Sequence, residues 1–303
     1  MKERKYKLKD IFNLEAHESR LAFLLILPTV IAVLVVLFFP LVYSFFMSFT
    51  DTTANLKDFN FVWFANYIKA FKDPVLRNAF MVTIKFVFFG ILLKVLLGIA
   101  IALMLKERFK GRGFVRGVMI IPWAIPSVVV GVIWRWLLNP RYGAVNRILD
   151  MTGVQTTNLN WLSNFKWALP AVISADVWQN IPFFIIIILA GLQVIPGDLY
   201  EAADIDGAGA LKKFWFITLP MIKAPLLIVT ILGTIFSINA FDLFWIMTRG
   251  GPADVTRAAT LYTWQVAMKN YNTSYGSAIS YLIMLLAIIV VFVYLRILGK
   301  RQL

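Results

Sequence analysis

The chain has 303 residues, 60% hydrophobic and only 15% charged, where an ordinary soluble domain carries about a quarter charged residues. Cysteine is absent and His17 is the single histidine, which removes disulfides, thiolate metal sites, histidine clusters and His-dependent triads from consideration. The net charge of +14 does not point to nucleic acid, because Lys and Arg lie beside apolar runs instead of alternating with aromatics along a groove.

Residues 1–20 are basic and read as an orientation signal, with a helix along the membrane surface as the alternative. Residues 21–303 read as one all-α membrane domain, since no linker, low-complexity run or short repeat divides them. Six segments are long and apolar enough to cross a bilayer, which takes about 20 helical residues. They are Leu21–Phe49, Ala79–Leu105, Gly117–Leu138, Trp167–Ile195, Ala224–Met247 and Tyr275–Leu295. The first is too long for a signal peptide and lacks a small-residue cleavage site, so it reads as a retained anchor.

Of the 30 Lys and Arg residues, 17 lie in the N-terminal segment, the 106–116 and 193–223 loops and the C-terminal tail, against 10 in the alternate loops and three inside spans. The positive-inside rule then puts both termini and residues 196–220 in the cytoplasm.

The spans carry several polar groups, and such groups at membrane depth are costly unless they face a cavity or a partner. Asp176, Gln179, Asn180 and Phe183 recur at helical spacing on one face of the fourth span. Three hydrogen-bonding groups and an aromatic ring suit a sugar; interhelical glue is the plainer alternative. In the fifth span, Phe236, Ser237, Asn239 and Asp242 offer a second such face, although a solvated carboxylate is the plain reading of Asp242. Lys94 lies between Gly90 and Gly98, a small-residue face that predicts a close helix contact with Lys94 paired to Asp176 or to an acid of a partner chain. Pro182 predicts a kink in the fourth span, and most Trp residues read as interfacial anchors.

Between the fourth and fifth spans lies EAADIDGAGALKKFWFITLP, residues 201–220. Asp198 reads as an N-cap completed by Glu201, and slim Ala202 and Ala203 suit a helix inserted in a groove. Gly207 and Gly209 allow a turn before a second helix, Leu211–Thr218, and Pro220 marks entry to the fifth span. This predicts a helix-turn-helix outside the bilayer.

The spacing of Glu201, Ala202, Ala203, Gly207, Ile217, Leu219 and Pro220 resembles the coupling loop of membrane-spanning subunits in binding-protein-dependent ABC importers. Thr248-Arg249-Gly250-Gly251-Pro252, the Ile120–Ser127 segment with Pro122 and Pro126, and Asn66, Tyr67 and Asp73 resemble carbohydrate-importer permeases of the MalF/UgpA type. The resemblance runs from about residue 20 to the C-terminus and implies a type I importer permease in a bacterial or archaeal cytoplasmic membrane. It implies that the loop, with Asp206 among its contacts, docks into a cleft of a separate ATPase, and that sugar contacts lie on the faces of the fourth and fifth spans. No G-x-x-x-x-G-K-[ST] occurs, so the chain has no phosphate cradle of its own; ATP and Mg would be bound by the ATPase, and no cofactor, catalytic group or metal is expected here. The implied partners are a second permease, two ATPase subunits, an extracytoplasmic solute-binding protein, a sugar and membrane lipid. The alternative is an ATPase-associated structural or regulatory membrane subunit without its own translocation path.

Overall fold

In a computed structural model, residues 23–51, 60–107, 109–153 and 159–298 are described, so the basic segment 1–20 lies outside the described residues. The architecture is helical, with one two-stranded hairpin pairing β1 (Thr50–Asp51) and β2 (Asn60–Phe61) antiparallel. The first long helix is α1, Phe23–Met47, interrupted by a π-helical turn at Leu34–Phe38. A short α2, Ala65–Lys72, precedes α3, Pro74–Lys106. Two helices meet at a sharp bend, α4 (Arg112–Ala124) and α5 (Ser127–Leu137), followed by a short α6 (Ala144–Met151). The central helix is α7, Ala168–Gln193. A hairpin of α8 (Gly197–Ile205) and α9 (Ala210–Met221) leads to α10, Lys223–Ile238. Short helices α11 (Asp242–Met247) and α12 (Ala259–Trp264) precede the last helix, α13, Thr273–Leu298.

Among the described residues four helices, α1, α3, α7 and α13, are long and apolar enough to cross a membrane, and the number rises to six if two bent pairs, α4 with α5 and α9 with α10, each count as one span. The predicted third span, Gly117–Leu138, is one such pair: α4 and α5 meet at 98°. Ile125 between them is extended, and Pro126 restricts the residue before it to that region while lacking an N–H to continue the helix. The predicted fifth span, Ala224–Met247, is likewise interrupted, ending as α10 at Ile238 and resuming as α11 at Asp242. Pro182 does not interrupt α7, which runs as one helix through it.

The core is built on α3, α7 and α10. Asp73 starts α3 by accepting hydrogen bonds from the N–H groups of Val75 and Leu76, with Pro74 at the first helical position. At 1.5 Å per residue this helix is about 50 Å long, more than a hydrocarbon core of about 30 Å requires. It lies close along α7 on the predicted glycine face: a Cβ on Gly98 would stand 3.2 Å from Cβ of Phe184, and one on Gly90 would stand 3.3 Å from Oδ2 of Asp176. Phe184 is fully buried, and α10 approaches its ring so closely at Gly233 that a Cβ there would fall 2.4 Å from it. By contrast α1 buries none of its most apolar window within the chain; its C-terminal half meets α13 where the Tyr281 hydroxyl donates to the Leu41 carbonyl, the Phe45 ring meets that of Tyr281, and Ser44 bonds Ser277.

Candidate functional site

The two helix interruptions create the polar centre of the molecule. Ending a helix frees carbonyl groups that must find donors where water is scarce. At the α4–α5 bend, Gln179 of α7 donates Nε2–H to the Ile125 carbonyl at 2.9 Å and to Ser127 Oγ at 3.2 Å. At the α10–α11 interruption, Thr260 of α12 donates to the Ala240 carbonyl at 2.7 Å, while Asn239 donates back to Ile235 at 2.8 Å. Between the interruptions lies a cavity of about 380 Å³ bordered by Ser127, Asp176, Gln179, Asn180, Phe236, Asn239, Asp242 and the backbone turn at Ala240–Phe241.

Asp176 is 3% exposed and accepts from Lys94 Nζ at 2.7 Å on one oxygen and from Asn180 Nδ2 at 2.9 Å on the other. Lys94 is 1% exposed and donates a second bond, to Ser237 Oγ at 2.9 Å, so one ammonium ties α3, α7 and α10 together. Of the two partners considered for Lys94 from the sequence, the acid within the chain is the one it meets. A buried pair of this kind costs several kcal/mol in desolvation per ion, and it persists because each charge also has a further hydrogen bond.

Six of the eight predicted pathway residues border one cavity: Asp176, Gln179, Asn180, Phe236, Asn239 and Asp242. Ser237 is turned to Lys94 instead. Phe183 does not border the cavity either; its ring stacks on Trp123 at 5.7 Å and lies 6.1 Å from Phe236. Seven residues of helix fall about 20° short of two turns, and Trp123 from the bent third segment takes the ring. Ser127 and Thr260 were missed from sequence; the signal for Ser127 was its place directly after Pro126.

The segment 197–221 forms the predicted helical hairpin. Its first helix closes with a Schellman arrangement: Ala208 N–H bonds the Ala203 carbonyl at 2.8 Å and Gly207 N–H bonds the Asp204 carbonyl at 3.1 Å. Gly207 has φ +69°, a conformation that a Cβ disfavours. Gly209 has an ordinary φ of −66°, so the turn rests on Gly207 alone. Asp198 does not cap this helix as expected: the N-cap is Pro196, no side-chain cap bond forms, and Asp198 with Glu201 sits within the first turns. Lys213 pairs with Asp204 at 2.6 Å, and the hydroxyls of Tyr200 and Thr218 meet at 2.9 Å across the two arms, with Lys106 of α3 over the Tyr200 ring. Glu201, Ala202, Asp206, Gly207 and Pro220 are exposed, whereas Ala203, Ile217 and Leu219 are half-buried. Beside them, Ile205, Leu211 and Phe216 are 88%, 72% and 80% exposed.

At the far end of α3, Asp73 accepts from the Tyr262 hydroxyl at 2.7 Å and the Tyr275 hydroxyl at 2.8 Å, joining three helices. Burial pushes this carboxyl up, but those two hydroxyls and the Leu76 and Val75 N–H groups together hold it below its ordinary value. Asn66 and Tyr67 brace the same end, with Asn66 donating to the Ser48 and Thr50 carbonyls and Tyr67 bonding Ser48. The Thr248–Pro252 segment is closed by Thr256, which donates to Thr248 Oγ1 at 2.8 Å and the Gly251 carbonyl at 2.6 Å.

Bilayer-length helices arranged in this way define a transport permease of the ABC type I importer fold. The fold is shared with a chain of a bacterial ABC transporter involved in the import of the acidic polysaccharide alginate, with a TM-score of 0.82 over 96% of this chain and 99% of that one, at 22% identity. Residues 94–302 match the binding-protein-dependent transport system inner membrane component, and the chain belongs to that family. It is therefore a transport component and not an enzyme. It is 38% identical over 288 residues to the trehalose/maltose transport system permease protein MalF of Thermococcus litoralis, covering 94% of this chain and 96% of that one. It is 33% identical over 292 residues to the sulfoquinovosyl glycerol transport system permease protein SmoG of Agrobacterium fabrum, covering 95% and 94%.

Proposed function

We propose that this chain is one membrane-spanning half of an ATP-driven importer that moves a sugar through the cavity at Asp176, Gln179, Asn180, Phe236, Asn239 and Asp242. In this reading α4 with α5 forms one span and α10 continued by α11 another, giving six with α1, α3, α7 and α13, and both termini and the 197–221 hairpin lie in the cytoplasm, as the Lys and Arg distribution favours. A separate ATPase closes on the hairpin at Glu201, Ala202, Ala203, Asp206 and Gly207, with Ile217, Leu219 and Pro220 holding its second arm. A second, related permease completes the pathway, and an extracytoplasmic binding protein delivers the solute. Sugar as the cargo class is supported by the names of the relatives and by the cavity's hydrogen-bonding amides beside an aromatic ring.

The observation that carries the reading is the direct connection along the chain between cavity and hairpin. α7 runs from the Asp176 network into the hairpin, and α10 leads from the hairpin back to Ser237. A push on the hairpin therefore acts on two of the three helices that Lys94 ties together. ATP-driven uptake of labelled sugars into proteoliposomes holding the assembled complex tests this. Uptake should require the ATPase and should fall at least about tenfold with Glu201→Lys; wild-type uptake by that variant would refute hairpin coupling, while no uptake of any sugar by the wild type would refute transport itself.

A further inference from the structure

The two carboxylates on the cavity wall are not in the same state. Asp176 is matched by Lys94, and that ammonium is used up: it is buried, bonded to Asp176 and Ser237, and lies 5.8 Å above the Phe184 ring. Asp242 is exposed on the wall and has no ion-pair partner among the described residues. No Lys, Arg or His is among the described residues that line the cavity. The nearby guanidinium groups are committed elsewhere, Arg135 to the Ile246 carbonyl and Arg249 to the Trp245 face. What remains on the wall is neutral hydrogen-bonding capacity and one uncompensated negative charge.

Gln179 sharpens the picture. Its Nε2 must face the Ile125 carbonyl, which can only accept, so Oε1 is fixed as the other end of the amide. That oxygen is buried without a partner in the chain, so Gln179 brings no positive charge to the wall.

We infer that this wall selects uncharged, polyhydroxylated solutes and rejects sugars bearing a phosphate, sulfonate or carboxylate, and that Lys94 acts as a positioning residue by neutralising Asp176 without meeting the solute. The inference rests on the transport reading above and narrows its substrate class. A hydroxyl exchanges bonds with Asn180 and Asn239 on the wall, whereas an anion leaves water for a wall whose free charge, Asp242, repels it. Sites built for carboxylates or phosphates offer Arg or Lys to the ligand, whereas the buried Lys94 is turned away to Asp176 and Ser237. The fold itself does not decide the charge of the cargo, because a chain of the same fold belongs to an importer of an acidic polysaccharide.

The test is uptake by the complete complex in proteoliposomes, using neutral mono- to trisaccharides each paired with its 6-phosphate and its uronate. The neutral member of a transported pair should be preferred by at least about tenfold, about 1.4 kcal/mol. Asp242→Asn and Asp176→Asn should each lower that preference several-fold, the second by leaving Lys94 without its counter-charge. The binding protein is the same in every arm, so its own selectivity cancels when the preference of a variant is divided by that of the wild type, and this ratio decides the inference. If Asp176→Asn does not fold, Asp242→Asn decides alone, because Asp242 is exposed and outside the buried network. Wild-type preference for the charged member, or an unchanged preference in the folded variants, overturns the inference. Absence of ATP-driven uptake for every sugar overturns the transport reading and this inference with it.

Discussion

The cavity and the hairpin solve opposite problems. Around the cavity, interrupted helices and buried charges are satisfied within the chain: Gln179 takes the Ile125 carbonyl, Thr260 takes the Ala240 carbonyl, and Lys94 takes Asp176. In the hairpin the backbone is also satisfied, through the Gly207 turn, yet Ile205, Leu211 and Phe216 stand almost fully in the open. Large apolar side chains left uncovered beside exposed charged groups are a feature of surfaces that meet another protein. In the first the broken backbone and the buried ion pair are matched within the chain; the second presents apolar side chains that something else covers. Changes at the first should cost stability; changes at the second should cost coupling and leave the fold intact.

The largest effect is expected at the turn. Gly207→Val places a β-branched residue at φ +69°, unfavourable by about 1–2 kcal/mol, in an exposed segment that can unwind without disturbing the core. ATP-driven uptake should fall tenfold or more while thermal unfolding shifts little, and a large unfolding shift would blur the contrast drawn here. Next is the buried pair. Lys94→Met leaves Asp176 uncompensated and should destabilise by about 3–5 kcal/mol, read as lowered Tm in detergent, with most of the loss recovered in Lys94→Met/Asp176→Leu. Failure of the double variant to recover would mean that the pair is not the source of the loss.

Smaller effects fall on the satisfied interruptions and the far end. Gln179→Leu strips the Ile125 carbonyl of its donor and should cost about 1–3 kcal/mol in the same unfolding measurement. Asp73→Ala removes an N-cap and should cost about 1 kcal/mol. Because folding holds the Asp73 carboxyl below its ordinary value, its contribution is full above the ordinary carboxylate range and disappears as pH falls through the lowered value. The difference in Tm between wild type and Asp73→Ala should therefore shrink on acidification; a constant difference would assign the loss to packing alone.

The apolar runs were legible because a membrane helix must be apolar for about 20 residues, and the ends of α1, α3, α7 and α13 fall within about five residues of the predicted bounds. The interruptions were not. Pro122 and Pro126 are visible in the sequence, but a 98° bend is tolerable only because Gln179, 54 residues away, supplies a donor. The interruption after Ile238 has no proline at all and depends on Thr260, 20 residues on. Periodicity correctly gathered Asp176, Gln179 and Asn180 on one wall, and it over-reached at Phe183, whose ring is decided by Trp123 from another segment. Gly207 and Gly209 look alike in sequence, and only the carbonyls of Ala203 and Asp204 determine which of them must adopt the left-handed turn.

The account stands most directly on whether the hairpin drives the cavity. Sugar-dependent ATP hydrolysis and sugar uptake, measured together in proteoliposomes carrying the complete complex with wild-type chain or Gly207→Val, decide this. The account predicts that the variant assembles, loses sugar stimulation of ATP hydrolysis and loses uptake together. Uptake and stimulation at wild-type levels in the variant would contradict it.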